Sequence, residues 1–145
     1  MRPPPLPQQI DVLQRILERV AGIAEAGGIP VVVFDLDGTL FDNRPRTLQI
    51  LLDYADEVED EFADVAGCLR SLTVERVAYL LSTTLRTVGL THVDVVRDIT
   101  HFWRERFFSD DYLQFDLPNP GAPEYVTACH ESGATILYLS ARDVP

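Results

Sequence analysis

The run Val31-Val32-Val33-Phe34 constrains this 145-residue chain more than any other feature. Four β-branched or aromatic residues with no polar alternation read as a strand buried on both faces. Such strands belong to parallel sheets flanked by helices. The run leads directly into Asp35-Leu36-Asp37-Gly38-Thr39-Leu40. Asp35 and Asp37 are two apart, so both carboxylates project toward one side at the strand's C-terminal end. In open parallel sheets, ligands bind in the crevice beyond that end. Gly38 permits a tight turn and a close backbone approach to an anion, and the Thr39 hydroxyl is placed to orient a neighbour. Two adjacent acids beside an apolar strand need a cation or a proton to offset them. Magnesium, a hard ion that takes oxygen ligands and keeps several waters, suits the pair.

Around this strand the chain alternates in character. Residues 2–7 hold four prolines and read as a stiff arm. From Gln8 to about Ala26, Ile10, Leu13, Ile16, Leu17, Val20 and Ile23 recur at helical spacing, and Gly27-Gly28 with Pro30 stop the helix. Residues 43–117 carry apolar residues three and four apart throughout, which predicts three or four helices and no strand. Thr73, and Thr91 or Asp94, are candidate N-caps, and Gly89 fits a helix end. The cluster Leu117-Pro118-Asn119-Pro120-Gly121 reads as a turn. Ala122–Glu131 then reads as helix, Ser132-Gly133 as its stop, and the run ATILYLS as a second buried strand ending at Ser140.

The pattern VVVFDLDGTL resembles the first motif of the haloacid dehalogenase superfamily, hhhhDxDGT[LV], at every position. That resemblance implies a Rossmann-like parallel sheet, of the α/β class, and phosphatase chemistry. It makes Asp35 the nucleophile that becomes an aspartyl-phosphate, and Asp37 the acid that protonates the leaving group and then activates water. Both would also hold Mg2+, Asp37 through its backbone carbonyl. The second motif of the superfamily is a strand ending in Ser or Thr whose hydroxyl holds the transferring phosphoryl oxygen. Ser140, 105 residues after Asp35, matches it. Gly38, Thr39 and Ser140 are therefore the expected substrate-binding residues. The helical block at 43–117 sits where the superfamily inserts its first type of cap. The expected organisation is an N-terminal arm and helix at 1–30, a core at 31–42 and 118–145, and a helical cap at 43–117.

The departures matter as much. The third motif is normally a lysine and the fourth one or two acids, both following the second motif. This chain has no lysine, its twelve basic residues all being arginine, and five residues follow Ser140. Arg142 and Asp143 lie too near Ser140 to take those roles. The chain thus reads as the front portion of such a fold, apparently truncated after the second motif. An unfinished sheet predicts either association with another copy or a further C-terminal segment.

Other features exclude rather than assign. A net charge of −11 argues against nucleic-acid binding. No apolar run nears the roughly 18 residues of a membrane span, and no secretory signal is recognisable. Cys68 and Cys129 have no CxxC spacing and read as two reduced thiols, which with the missing signal gives a cytoplasmic expectation. The three histidines share no ligand spacing that would suggest zinc. The acidic run Asp56–Glu61 reads as a solvated helix face, and Phe102, Trp103, Phe107 and Phe108 read as the cap's own core. Arg44 and Arg46 either meet an anionic substrate or pair with the acidic cap, and His130 reads as a surface residue. The leading expectation is a magnesium-dependent hydrolase of small phosphate monoesters. The alternative is a truncated, non-catalytic domain that binds a partner; a carbon–halogen hydrolase is disfavoured by Asp37.

Overall fold

The computed structural model describes residues 7–140. The proline arm before Pro7, and Arg142 with Asp143, lie outside the described residues. The chain divides into two compact units. One holds the residues up to Asp42 and those from Pro118 onward; the other is Asn43–Leu117.

The first unit contains helix α1 (Pro7–Glu25), strands β1 (Val31–Asp35) and β2 (Phe41–Asp42), helix α6 (Ala122–Glu131) and strand β4 (Thr135–Leu139). β1 and β4 run parallel, with Val31 opposite Thr135 and Asp35 opposite Leu139. The result is a mixed α/β structure with a small parallel sheet, a partial Rossmann-like arrangement of the class the sequence implied. The short strands β2 and β3 (Leu117–Pro118) pair as a second sheet. β3 sits at the end of the segment read as free of strands; at two residues it is too short to leave a periodic signal.

Helix α1 ends where Gly27 takes φ +79°, and the Gly28 amide donates to the Ile23 carbonyl at 2.9 Å. α1 and the α6–β4 turn approach closely, since a Cβ on Gly133 would lie 2.8 Å from that of Ala24. The core of this unit is small: Val20, Phe34, Cys129 and Ala134, with Leu17, Val32, Tyr125, Val126 and Ile136 packed against it. Here the structure corrects the sequence. Val31 and Val33 are 53% and 56% exposed, and Leu137 and Leu139 are 49% and 63% exposed. The reason is the pleat. Alternate residues Val32, Phe34 and Ile136 meet α1 and α6, while Val31, Val33, Leu137 and Leu139 point to the opposite face and are left about half exposed; Tyr138, on the same face as Ile136, is exposed as well. An unbroken apolar run signals two covered faces only when both layers are present.

The second unit contains α2 (Arg44–Val58), α3 (Ala63–Arg70), α4 (Leu81–Thr87) and α5 (Val93–Phe107), with 3-10 turns at Val74–Arg76 and Asp110–Phe115. Pro45 occupies the first turn of α2, where its missing amide costs no hydrogen bond. Leu51, Ala55, Ala66, Leu69, Leu72, Leu85 and Ile99 form its buried core. Gly89, at φ +82°, follows α4, and the Leu90 amide closes on the Leu85 carbonyl at 3.1 Å. Thr73 makes no side-chain cap, and α5 is preceded by His92 rather than by Thr91 or Asp94. No helix among the described residues is long and apolar enough to cross a membrane.

Candidate active site

β1 delivers Asp35 as its last residue, and the chain then turns sharply over Leu36–Phe41. Gly38 sits at φ +80°, a conformation that strains any residue with a Cβ. Three amides, those of Thr39, Leu40 and Phe41, converge on the Leu36 carbonyl at 3.3, 3.0 and 3.0 Å. The Gly38 amide donates to the Phe41 carbonyl at 2.9 Å. That bond closes the turn. A Cβ on Gly38 would meet open space, so φ alone selects glycine.

The turn brings Thr39 back over the strand end, where its hydroxyl donates to Asp35 Oδ2 at 2.7 Å. This bond fixes the rotation of the carboxylate and leaves Oδ1 as the oxygen without a hydrogen bond among the described residues. Asp35 and Thr39 are both exposed, and Asp37 is half-buried within the turn. Ser140 follows Leu139, the register partner of Asp35, so the parallel pairing puts it at the same end of the sheet. Asp35, Asp37, Gly38, Thr39 and Ser140 therefore share one end of one small sheet.

Asn119, which the sequence marked only as part of a turn, belongs with them. It is 8% exposed. Its side-chain Nδ2 donates to the Thr39 carbonyl at 2.6 Å and its backbone amide to the Leu40 carbonyl at 2.8 Å. No spacing rule links residues 80 positions apart. An apolar cavity of about 520 Å³ lies against the same turn, lined by Leu36, Leu40, Phe41, Val126 and Tyr138 among others.

Other candidates resolve differently. Arg46 is fully buried in the helical unit. It forms a two-pronged ion pair with Asp116, donates to the Phe107 carbonyl at 2.9 Å and stacks 4.4 Å from the centre of the Phe107 ring. These contacts are those of a structural cation, paired inside the helical unit as one of the two sequence readings expected. The acidic run is a wet helix end, with Asp56 and Glu59 paired to Arg70 at 2.7 Å. The Arg70 guanidinium holds the Glu59 carboxyl below its usual range. Phe102 packs edge-on to Tyr54, and Trp103 packs against Phe107 and Phe108 while donating to the Thr47 hydroxyl at 3.2 Å. The expectation that these aromatics form the core of this unit is corrected: Phe102, Trp103 and Phe107 are half-buried, Phe108 is exposed, and all four lie outside the buried cluster. Cys68 and Cys129 are both free thiols, and burial pushes the Cys129 thiol up. His130 is exposed.

For magnesium, the donors on offer are oxygens of Asp35 and Asp37, hard ligands of the right chemistry. Among the described residues no group of three or more His, Cys, Asp or Glu side chains converges. Two protein oxygens fit an ion that keeps most of its water.

Comparison with known proteins gave no match among curated proteins or solved structures. A family model for haloacid dehalogenase-like hydrolases does match, over residues 29–145. That span begins two residues before β1 and includes the turn, Asn119 and Ser140. With its strand-end aspartates, its glycine turn and a parallel partner strand closing in serine, the chain belongs to the haloacid dehalogenase-like hydrolase family.

Proposed function

We propose that this hydrolase acts on small phosphate monoesters, with Asp35 as nucleophile and magnesium as cofactor. The observation that carries the reading is the Thr39–Asp35 hydrogen bond, which holds one carboxylate oxygen and leaves the other to attack. Asp35 Oδ1 attacks phosphorus in line, forming an aspartyl-phosphate as the phosphorus–ester oxygen bond breaks. Protonated Asp37 gives its proton to the departing oxygen. The resulting Asp37 carboxylate then takes a proton from water, whose oxygen attacks phosphorus, releasing inorganic phosphate and restoring Asp35. The Ser140 hydroxyl donates to a phosphoryl oxygen. Asp35 and the Asp37 carbonyl are the proposed ligands of magnesium, which when bound supplies charge neutralisation to the phosphoryl group. The two free thiols accord with a reducing compartment such as the cytoplasm.

The test is magnesium-dependent phosphate release from p-nitrophenyl phosphate, with Asp35→Asn as the matched control. The expected result is turnover that requires magnesium and falls at least about a thousandfold in Asp35→Asn. Equal rates in the folded wild type and variant would overturn the reading. They would favour the second one, a binding domain that retains the motif, for which the exposed apolar residues Val31, Val33, Leu137 and Leu139 speak.

A further inference from the structure

We propose that Asn119 is a positioning residue for the catalytic turn, acting on Asp35 through Thr39. The inference rests on the proposed role of Asp35 for its consequence, but its structural part stands apart from catalysis.

Within the turn three amides share the Leu36 carbonyl, and a carbonyl oxygen has two lone pairs, so that acceptor is oversubscribed. The Thr39–Leu40 peptide is also held from outside the turn. Asn119 donates twice, from Nδ2 to the Thr39 carbonyl at 2.6 Å and from its backbone amide to the Leu40 carbonyl at 2.8 Å. The direction of the side-chain bond is chemically fixed, since the Thr39 carbonyl only accepts and the amide nitrogen is the only side-chain donor Asn119 has. Asn119 is itself held, because its carbonyl accepts the Ala122 amide at 3.0 Å as α6 begins. The turn is thus tied to the first turn of α6, and α6 packs through Cys129 onto the core behind β1.

The consequence falls on the Thr39–Asp35 hydrogen bond, which orients the Asp35 carboxylate. Thr39 carries the Asn119 bond on its carbonyl and the Asp35 bond on its hydroxyl. Releasing the carbonyl frees the residue to rotate, and a misplacement of about 1 Å at a reacting group typically costs on the order of a hundredfold in rate.

Two variants test this. Asn119→Asp keeps the shape but replaces the donor with a second acceptor; Asn119→Ala removes the group. Hydrogen exchange of the amides at residues 38–41 is expected to accelerate at least about tenfold in both, with the amides of β1 and β4 unchanged. Unchanged exchange in the turn would overturn the proposal whatever the activity. In turnover, kcat is expected to fall about ten- to a hundredfold with KM little altered. In a Thr39→Val background, where no hydroxyl remains to be positioned, Asn119→Ala should then add little. Losses that multiply in the double variant would overturn action through Thr39. Loss of fold in both variants would also overturn it, by assigning Asn119 to the stability of the whole unit. Failure of the Asp35 reading shows separately, as equal turnover in wild type and Asp35→Asn, while the exchange measurement still decides the positioning claim.

Discussion

The two units of this chain are held together in different ways. The helical unit encloses nine fully or nearly fully buried apolar residues, drawn from all four of its α-helices and the loops after α3 and after the first 3-10 turn, and adds a buried arginine–aspartate pair across 70 positions of sequence. Among the described residues the motif-bearing unit encloses four. Its two longer strands leave Val31, Val33, Leu137, Tyr138 and Leu139 about half exposed. The residues proposed to do chemistry therefore sit on the more thinly packed unit, where hydrogen bonds around one turn supply the order that packing supplies elsewhere. Packing is tolerant of small shifts in side-chain position, whereas hydrogen bonds are directional. A turn held by hydrogen bonds gains geometric definition without a large core beneath it.

The largest test of this contrast is Arg46→Met. It strands Asp116 as an uncompensated, largely buried charge and should cost about 3–5 kcal/mol. Urea unfolding followed by the fluorescence of Trp103, the one tryptophan and a member of this unit, reads the loss. Replacing both partners, as Arg46→Met with Asp116→Leu, should recover most of it. A single-variant cost under about 1 kcal/mol would break the claim that this pair anchors the helical unit. Next comes Leu69→Ala, at a fully buried core position, with an expected cost of about 2–5 kcal/mol by the same measurement. Val33→Thr, in the centre of the motif strand, should change stability by no more than about 0.5 kcal/mol, because its side chain lies on the open face. A cost above about 2 kcal/mol at Val33 would mean that face is covered in solution, and the contrast would fail there.

The smallest effect appears only in alkali. Burial, and then the neighbouring Cys129, pushes the Tyr125 phenol up to about 12 from an ordinary value of 10.0. Its hydroxyl donates to the Leu13 carbonyl at 2.9 Å, tying α6 to α1. The folded state favours the protonated phenol, so this contribution is intact below pH 10 and is lost as pH rises through about 12. A spectrophotometric tyrosinate titration should lose one late-titrating phenol in Tyr125→Phe, while Tyr54 and Tyr112, which burial also pushes up, remain late. An unchanged number of late phenols in Tyr125→Phe would remove this tie from the account of the motif-bearing unit.

Several features were legible in the sequence because they depend on neighbours along the chain. The helical spacing of Ile10 to Ile23 marks α1 closely, since amphipathic periodicity follows from helix geometry alone. The Thr39–Asp35 contact spans four residues, and Gly38 between them announces the turn that makes it. The exposure of Val33 was not legible: an apolar side chain in a strand reads the same whether or not a second layer lies over it.

What the sequence determined by itself is therefore the local chemistry: a strand, two acids at its end, a glycine turn and a hydroxyl close enough to orient a neighbour. Tertiary structure decided which strand faces are covered, that Arg46 serves the interior of the helical unit, and that Asn119 fastens the turn from 80 positions away. Dihedral preferences and side-chain periods act over a few residues and leave a pattern in the sequence. A hydrogen bond between distant segments depends on how whole elements dock, and a single asparagine in a proline-rich turn carries no mark of the carbonyl it will find.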